Sequence, residues 1–247
     1  MTPAWTKRFP DAIAQLGQAR LILSAIALLL FVILCAITQA QLDFAFETTL
    51  IAWLRENVTG LLGQILSLCY FLGDTAPAGV ITATIIIYLL LKKWWQEALW
   101  FSVATAGALY WVGIVFKPLF DKARPPFERA DSIHGAAFPS GHATGNTILY
   151  LFLAYLLATQ YPHLTRRLHL IAIAWLILMG LGSMRVGAHW ATDIVGGYCL
   201  GFLWLSICMI MLHATPTLPW LKKLPRRSYR GAKAHSPGSH RASRPHN

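Results

Sequence analysis

Long apolar runs alternate with short polar and charged stretches along this chain. Six of the runs contain no Asp, Glu, Lys or Arg, and they lie at 21–42, 57–73, 75–91, 98–116, 168–184 and 194–221. A helix needs about 20 largely apolar residues to cross a bilayer. The pattern therefore predicts an all-α membrane protein with six spans. We expect these spans at 21–40, 76–91, 96–116, 142–160, 168–184 and 193–213.

Two segments between the first and second predicted spans have a different pattern. Residues 43–58 combine apolar side chains at helical spacing with charged ones, which predicts an amphipathic helix lying in the membrane interface. The apolar residues are Phe46, Leu50, Trp53 and Leu54, and the charged residues are Asp43, Glu47, Arg55 and Glu56. Residues 61–73 are apolar but too short to span, so we expect a re-entrant or interfacial segment.

The composition agrees with a membrane protein. Hydrophobic residues make up 56% of the 247 positions and charged residues only 13%, whereas soluble domains carry about 25% charged residues. These values exclude a soluble enzyme, a nucleic-acid-binding domain and a disordered chain. The net charge of +11 therefore needs an explanation other than nucleic acid.

The basic residues predict the orientation in the membrane. If both termini are cytoplasmic, 15 of the 21 Lys and Arg residues fall in the inside segments 1–20, 92–95, 161–167 and 214–247, as the positive-inside rule requires. We expect a cytoplasmic N-terminal segment at 1–20, a membrane domain at 21–213 and a basic, disordered cytoplasmic tail at 214–247.

Five of the six remaining basic residues crowd into the loops after the third and fifth spans. Lys117 to Pro125 follows the third span, Pro139 to His142 enters the fourth, and Arg185 to Asp193 joins the fifth to the sixth. Under the predicted topology, all three segments lie on the external face.

The cations and the helix start in these segments suit the binding of phosphate. Lys117 and Arg124 are seven residues apart, so they can converge on one anion, Arg through bidentate contacts and Lys as a point charge. Ser140 and Gly141 precede a helix, whose free N-terminal amides and dipole favour negative charge.

Two histidines supply groups that can move protons or attack phosphorus. His189 and Asp193 are at i, i+4, which puts them on one helix face. An Asp that accepts from one imidazole nitrogen leaves the other nitrogen free as a nucleophile or base. His142 is then available as the acid for the leaving group.

The motifs Lys-x6-Arg-Pro, Pro-Ser-Gly-His and His-x3-Asp resemble the three motifs of the type 2 phosphatidic acid phosphatase (PAP2) superfamily. Its bacterial membrane branch includes phosphatidylglycerophosphate and undecaprenyl diphosphate phosphatases. The resemblance implies that His189 attacks phosphorus to form a phosphohistidine, that Asp193 orients His189, and that His142 protonates the departing oxygen. It also implies phosphate binding by Lys117, Arg124 and the Ser140–Gly141 backbone, with no metal or other cofactor.

This chain lacks an arginine at the position where the third motif of the superfamily has one. The third motif has an arginine six residues before the nucleophilic histidine, where this chain has Ser183. The nearest arginine is Arg185, four residues before His189, and we expect it to bind phosphate. Lys122 and Arg129 are alternative sources of the third cation, and an inactive, degenerate site is the remaining alternative.

These observations predict a lipid phosphatase in a bacterial inner membrane, with its site on the periplasmic face. The expected substrate is a lipid phosphate or diphosphate of the undecaprenyl diphosphate or phosphatidylglycerophosphate type. Membrane lipids are the other expected partners, with no nucleic acid and no obligate protein partner. Two alternatives stay open: a phosphotransferase from a polyprenyl diphosphate to a lipid acceptor such as lipid A, and a non-catalytic lipid-binding or transport protein.

Overall fold

The computed structural model describes residues 17–42, 44–127 and 135–215. The chain divides into two units, Met1–Pro216 and Thr217–Asn247, and every described residue belongs to the first unit. Most of the predicted N-terminal segment and of the basic tail lies outside the described residues, as does Arg129. The predicted domain boundaries therefore stay predictions.

The described residues contain helices and no strand, which confirms the all-α prediction. The α-helices are α1 Gln18–Gln39, α2 Ala45–Asn57, α3 Gly60–Leu72, α4 Thr75–Leu91, α5 Trp95–Leu109, α6 Lys117–Phe120, α7 Gly141–Gln160, α8 Thr165–Arg185 and α9 Ala191–Ala214. A π-helical segment, Tyr110–Phe116, joins α5 to α6, and a 3-10 turn, Pro162–Leu164, precedes α8. Five of the predicted spans each coincide with one of these helices, and the span predicted at 96–116 covers α5 and the π-helical segment together.

Fewer than six of the described helices meet the length and hydropathy expected of a span. Four do so, namely Gln18–Gln39, Trp95–Phe120, Pro162–Arg185 and Ala191–Ala214. The pair α3 and α4, bent by 58°, adds up to one more, as a broken span or a re-entrant loop. Helix α7 is 20 residues long, but its first two turns carry buried polar residues such as Asn146 and Thr147. The described residues thus support four or five spans, and six is not established.

Helix α7 lies at the centre of the bundle, where it packs on α5, α8 and α9. Glycines on α9 allow a close approach to α7. A Cβ atom at Gly197 would lie 2.6 Å from the carbonyl oxygen of Ser140, and one at Gly201 would lie 2.7 Å from that of Thr144. Gly196 lies against the ring of Phe138 in the same way. This packing holds the beginning of α9 beside the beginning of α7.

Helix α2 confirms the helix predicted within 43–58, but its buried face differs from the expected one. Phe46 and Trp53 point outward, whereas Ile51 and Leu54 are buried. Glu47 was expected on the polar face, and this was wrong, because its side chain is buried with 4% exposed. Its Oε1 accepts the backbone N–H of Thr192 at 2.7 Å. A carboxylate at the N-terminus of α9 thus ties α2 to the bundle.

Candidate active site

The three sequence motifs meet at one end of the helical bundle. The amide of Ser140 donates to the carbonyl oxygen of Asp193 at 3.0 Å, which joins the beginnings of α7 and α9. The Arg124 guanidinium donates from Nη1 to the carbonyl oxygen of Ala188 at 2.7 Å, which brings the loop after α6 to the loop before α9. The α3–α4 junction joins this end through Asn146, whose Nδ2 donates to the carbonyl oxygen of Gly73 at 2.8 Å.

His189 and Asp193 form a buried pair. Helix α8 ends in a turn through Gly187, whose φ of 75° favours glycine. His189 follows in the short connection to α9, and its Nδ1 lies 3.6 Å from Oδ2 of Asp193. The side chains are 3% and 0% exposed. The same Oδ2 accepts the backbone N–H of Trp190 at 2.9 Å, so Asp193 also caps α9.

The other nitrogen of His189 faces a cation. Nη1 of Arg124 lies 3.4 Å from Nε2 of His189. Burial lowers the pKa of His189, and the charges of Arg124 and Lys117 lower it further, against the opposing effect of Asp193. His189 is therefore a neutral imidazole at neutral pH, with Nε2 directed toward the side on which an anion would bind.

His142 lies in the first turn of α7, next to a second carboxylate. Its Nε2 is 3.4 Å from Oδ1 of Asp74, and its ring stacks on that of Tyr70 with the centroids 4.8 Å apart. The ring centroids of His142 and His189 are 6.3 Å apart. Asn146 donates to the carbonyl oxygens of both Gly73 and His142 at 2.8 Å, which fixes the α3–α4 junction beside the imidazole.

Sequence reasoning missed Asp74, Tyr70 and Glu47 as neighbours of the site. Asp74 carries a local signal, because it caps α4 by accepting the amide N–H of Thr75 at 2.6 Å. That signal predicts a helix start but not contact with a histidine 68 positions later. The position of Asp74 depends on the bend between α3 and α4.

The N-terminus of α7 differs in one respect from the expected phosphate cradle. The amide of Ser140 already donates to Asp193, and its Oγ accepts the amide N–H of Ala143 at 3.3 Å. The amides of Gly141 and His142 have no hydrogen-bond partner within residues 17–42, 44–127 and 135–215. Gly141 rather than Ser140 thus offers its N–H at the helix start.

Lys122 contacts the carboxylate of the dyad. Its Nζ lies 2.9 Å from Oδ1 of Asp193 and 2.8 Å from Oγ1 of Thr192. From the sequence, Lys122 was only an alternative to Arg185 as a phosphate ligand. No signal in the sequence pairs it with Asp193, because the two residues are 71 positions apart.

The Arg185 side chain makes its hydrogen bonds to α3 and to the turn before α3. Its Nε donates to the carbonyl oxygen of Val58 at 2.7 Å and its Nη1 donates to Oγ of Ser67 at 3.0 Å, so it binds the turn between α2 and α3. Two positions along an α-helix rotate a side chain by about 200°. Arg185 therefore leaves α8 on a face different from that of Ser183, which is fully buried. Phosphate binding by Arg185 stays a prediction that these contacts do not support.

The described part of the chain holds no group of three His, Cys, Asp or Glu side chains arranged as metal ligands. The groups that the fold brings together are two imidazoles, two carboxylates beside them, three cations and free helix amides. Such a set can bind an anion, attack it and transfer a proton to a leaving group.

The comparison with family profiles finds the PAP2 superfamily, which matches residues 77–216. Phosphatidylglycerophosphatase B of Bacillus subtilis is 29% identical over 159 residues, which cover 61% of this chain and 71% of that protein. Lipid A 1-phosphatase of Rhizobium johnstonii is 28% identical over 159 residues, which cover 60% of this chain and 59% of that protein.

A solved structure has a similar fold. It is the crystal structure of the first transmembrane PAP2 type phosphatidylglycerolphosphate phosphatase from Bacillus subtilis, with a TM-score of 0.64 and 21% identity. The match covers 75% of this chain and 93% of the other. At this identity the likeness concerns the fold alone.

Proposed function

Since this chain belongs to the PAP2 superfamily, we propose that it is an integral-membrane phosphatase that hydrolyses a lipid phosphate of the phosphatidylglycerophosphate type. The observation that carries the proposal is the His189–Asp193 pair, with His142 on one side and Arg124 on the other. The two phosphatase relatives support the same reaction class.

In the first step, Nε2 of His189 attacks phosphorus and the bond from phosphorus to the lipid oxygen breaks. Oδ2 of Asp193 lies 3.6 Å from Nδ1, and a closer approach in the complex lets it accept the Nδ1 proton and hold the tautomer in which Nε2 carries the lone pair. The product is a phosphohistidine. Burial supports this role, because it keeps His189 neutral when the lipid arrives.

His142 enters this step as the imidazolium, which the bound phosphate and the carboxylate of Asp74 favour, and donates its proton to the departing lipid oxygen. In the second step it takes a proton from the water that attacks the phosphohistidine, and inorganic phosphate leaves. The carboxylate of Asp74 and the stacked ring of Tyr70 orient the imidazole of His142 for both transfers. The 6.3 Å between the histidine rings leaves room for a phosphoryl group.

Lys117, Arg124 and the free amide of Gly141 surround the position where negative charge develops on the phosphoryl oxygens. Arg124 is held by backbone carbonyl oxygens of Gly135, Ala136 and Ala188, so it needs no reorganisation during the reaction. One preorganised donor of this kind contributes about 3 kcal/mol to transition-state stabilisation.

The surface of the bundle supports a lipid as the substrate. Large apolar side chains are exposed along α1, among them Ile22, Leu29 and Val32, which suits contact with acyl chains. We place the protein in a bacterial inner membrane with the catalytic end at the periplasmic face, because the basic residues of the opposite end then lie in the cytoplasm.

The deciding experiment measures phosphate release by the purified protein from four lipids: phosphatidic acid, phosphatidylglycerophosphate, undecaprenyl diphosphate and lipid A. We expect the highest kcat/KM on phosphatidylglycerophosphate. His189→Ala should lose at least about a thousandfold in kcat. His163→Ala is the matched control, since His163 is exposed in the turn before α8.

Other results would point to a different function or to a different nucleophile. Phosphorylated lipid A formed from undecaprenyl diphosphate, in place of free phosphate, would show a phosphotransferase. Lipid binding without release of phosphate from any of the four lipids would show a non-catalytic protein. Equal activity of His189→Ala and the wild type would remove His189 as the nucleophile.

A further inference from the structure

The carboxylate of Asp193 is shared between His189 and Lys122. Oδ2 faces Nδ1 of His189 at 3.6 Å, whereas Oδ1 lies only 2.9 Å from Nζ of Lys122. The Lys122 side chain is 16% exposed and the Asp193 side chain is fully buried. Asp193 is thus hydrogen-bonded to the lysine, whereas its contact with the imidazole is longer than a hydrogen bond.

Because the His189–Asp193 pair is buried, the charge of Lys122 affects how the pair is protonated. An ionised carboxylate without access to water is costly unless a positive charge or several hydrogen bonds compensate it. Lys122 places a full positive charge beside the Asp193 carboxylate, and the amide of Trp190 donates one hydrogen bond to it. Without the lysine, the nearest way to restore neutrality is a proton taken up by the His189–Asp193 pair. A proton on Nε2 of His189 removes the lone pair that attacks phosphorus.

We propose that Lys122 is a positioning residue for the dyad, and that its ammonium group holds the Asp193 carboxylate and keeps His189 unprotonated at the pH of catalysis. The hydrogen bond from Nζ to Oγ1 of Thr192 fixes the ammonium group in place. Lys122 acts through Asp193 and does not touch the substrate. The inference rests on the proposed role of His189 as the nucleophile.

Other charged groups around the dyad do not replace Lys122. Arg124 and Lys117 face the imidazole from the phosphate side, and Glu47 binds the amide of Thr192. His142 and Asp74 pair with each other across the cleft. Within residues 17–42, 44–127 and 135–215, the other charged side chains at this end of the packed elements include Arg55, Glu56, Asp121 and Arg185. Arg55 contacts the ring of Phe127, and Arg185 contacts Val58 and Ser67.

The test compares Lys122→Met with Lys122→Arg and the wild type. Methionine removes the charge at similar length, and arginine retains it. Lys92→Met is the matched control, because Lys92 is an exposed lysine at the end of α4. Two readouts are followed between pH 5 and 9. The first is kcat/KM for the lipid phosphate, and the second is the protonation of His189 by NMR of protein labelled with nitrogen-15 histidine and assigned with His189→Ala.

For Lys122→Met we expect the protonation midpoint of His189 and the acid limb of kcat/KM to move up together by about 1 pH unit. At a pH well below both midpoints, kcat/KM should fall to about a tenth of the wild-type value, and the loss should vanish about two pH units above the new midpoint, with KM little changed. Lys122→Arg should restore the wild-type midpoint, and Lys92→Met should not move it.

Several outcomes would overturn the inference. An unchanged His189 midpoint with a raised KM at every pH would make Lys122 a ligand of the substrate phosphate. If the His189 midpoint were unchanged and activity fell equally at every pH, the role of Lys122 would be structural only. The NMR midpoint does not depend on turnover, so a shifted midpoint in a protein that releases no phosphate would uphold the role of Lys122 and refute the proposed function.

Discussion

Two histidines with different surroundings occupy the site. His189 is buried between a carboxylate and a guanidinium group, whereas His142 is partly exposed, stacked on Tyr70 and close to Asp74. Titratable groups in unlike environments take unlike roles. The neutral, buried His189 suits attack on phosphorus, and the more accessible His142 suits proton exchange with a leaving group or water.

The contacts of Arg185 lead to a prediction about single residues. Its guanidinium group binds Val58 and Ser67, so Arg185→Ala should lower the free energy of unfolding by about 1.5–3 kcal/mol. We expect KM for the lipid phosphate to stay within about twofold of the wild type. Thermal unfolding and steady-state kinetics check the two parts separately.

Ser67→Ala is the control for Arg185→Ala, since it removes one hydrogen-bond partner of Arg185 and leaves the charge. It should lower the melting temperature by a smaller amount and leave KM unchanged. If Arg185→Ala raised KM at least tenfold with an unchanged melting temperature, Arg185 would be a phosphate ligand after all.

At the scale of helices, the distance between α7 and α9 controls the site. Both helices begin at the catalytic end, where Ser140 and Asp193 are joined by a backbone hydrogen bond of 3.0 Å. Glycines on α9 permit this approach, because a side chain at Gly197 would meet Ser140 and Ala143 at 2.6 and 2.7 Å. Small residues on one face of α9 thus set the distance between Asp193 and His142, to which we assign roles in the proposed reaction.

We therefore predict that Gly197→Ala separates the two helices. Overpacking of this kind costs about 1–3 kcal/mol, and phosphate release should fall more than tenfold, because Asp193 moves relative to His142.

Gly145→Ala is the matched control on α7, where an added Cβ would have no atom within 4 Å. It should stabilise the protein by up to about 1 kcal/mol through helix propensity and leave activity unchanged. Melting temperatures and phosphate release of both variants check this. Wild-type activity in Gly197→Ala would contradict the role of the close approach.

At the scale of the whole molecule, the two ends of the helical bundle differ in the residues that they carry. The catalytic end includes the turn between α2 and α3, which Arg185 ties to the end of α8. The other end includes the exposed turn before α8, with Arg166 and Arg167 close behind it. The positive-inside rule assigns the second end to the cytoplasm.

Cysteine labelling in whole cells tests this orientation. Thr59 is exposed at the catalytic end and His163 at the opposite end. A maleimide that does not cross the membrane should label Thr59→Cys in intact spheroplasts, and His163→Cys only after permeabilisation. The unchanged protein, whose four cysteines are free, is the blank. The reverse labelling pattern would invert the topology and place the site in the cytoplasm.

The sequence by itself determined much of the local structure. Apolar runs placed the ends of the predicted spans within a few residues of the observed helices, because helix length follows directly from the pattern. The sequence also predicted that His189 lies near Asp193, but the expected shared helix face was wrong, because His189 precedes α9 and Asp193 faces it from the first turn of that helix.

Only the tertiary structure decided which distant side chains meet. Lys122 reached Asp193, Asp74 reached His142 and Glu47 reached the N-terminus of α9 through helix packing and bends that local patterns do not encode. Arg185 contacts Val58 and Ser67, because its position two residues after Ser183 puts it on another face of α8. Spacing along a chain specifies neighbours within one helix, whereas contacts between helices depend on which small residues let them approach and which faces they then present.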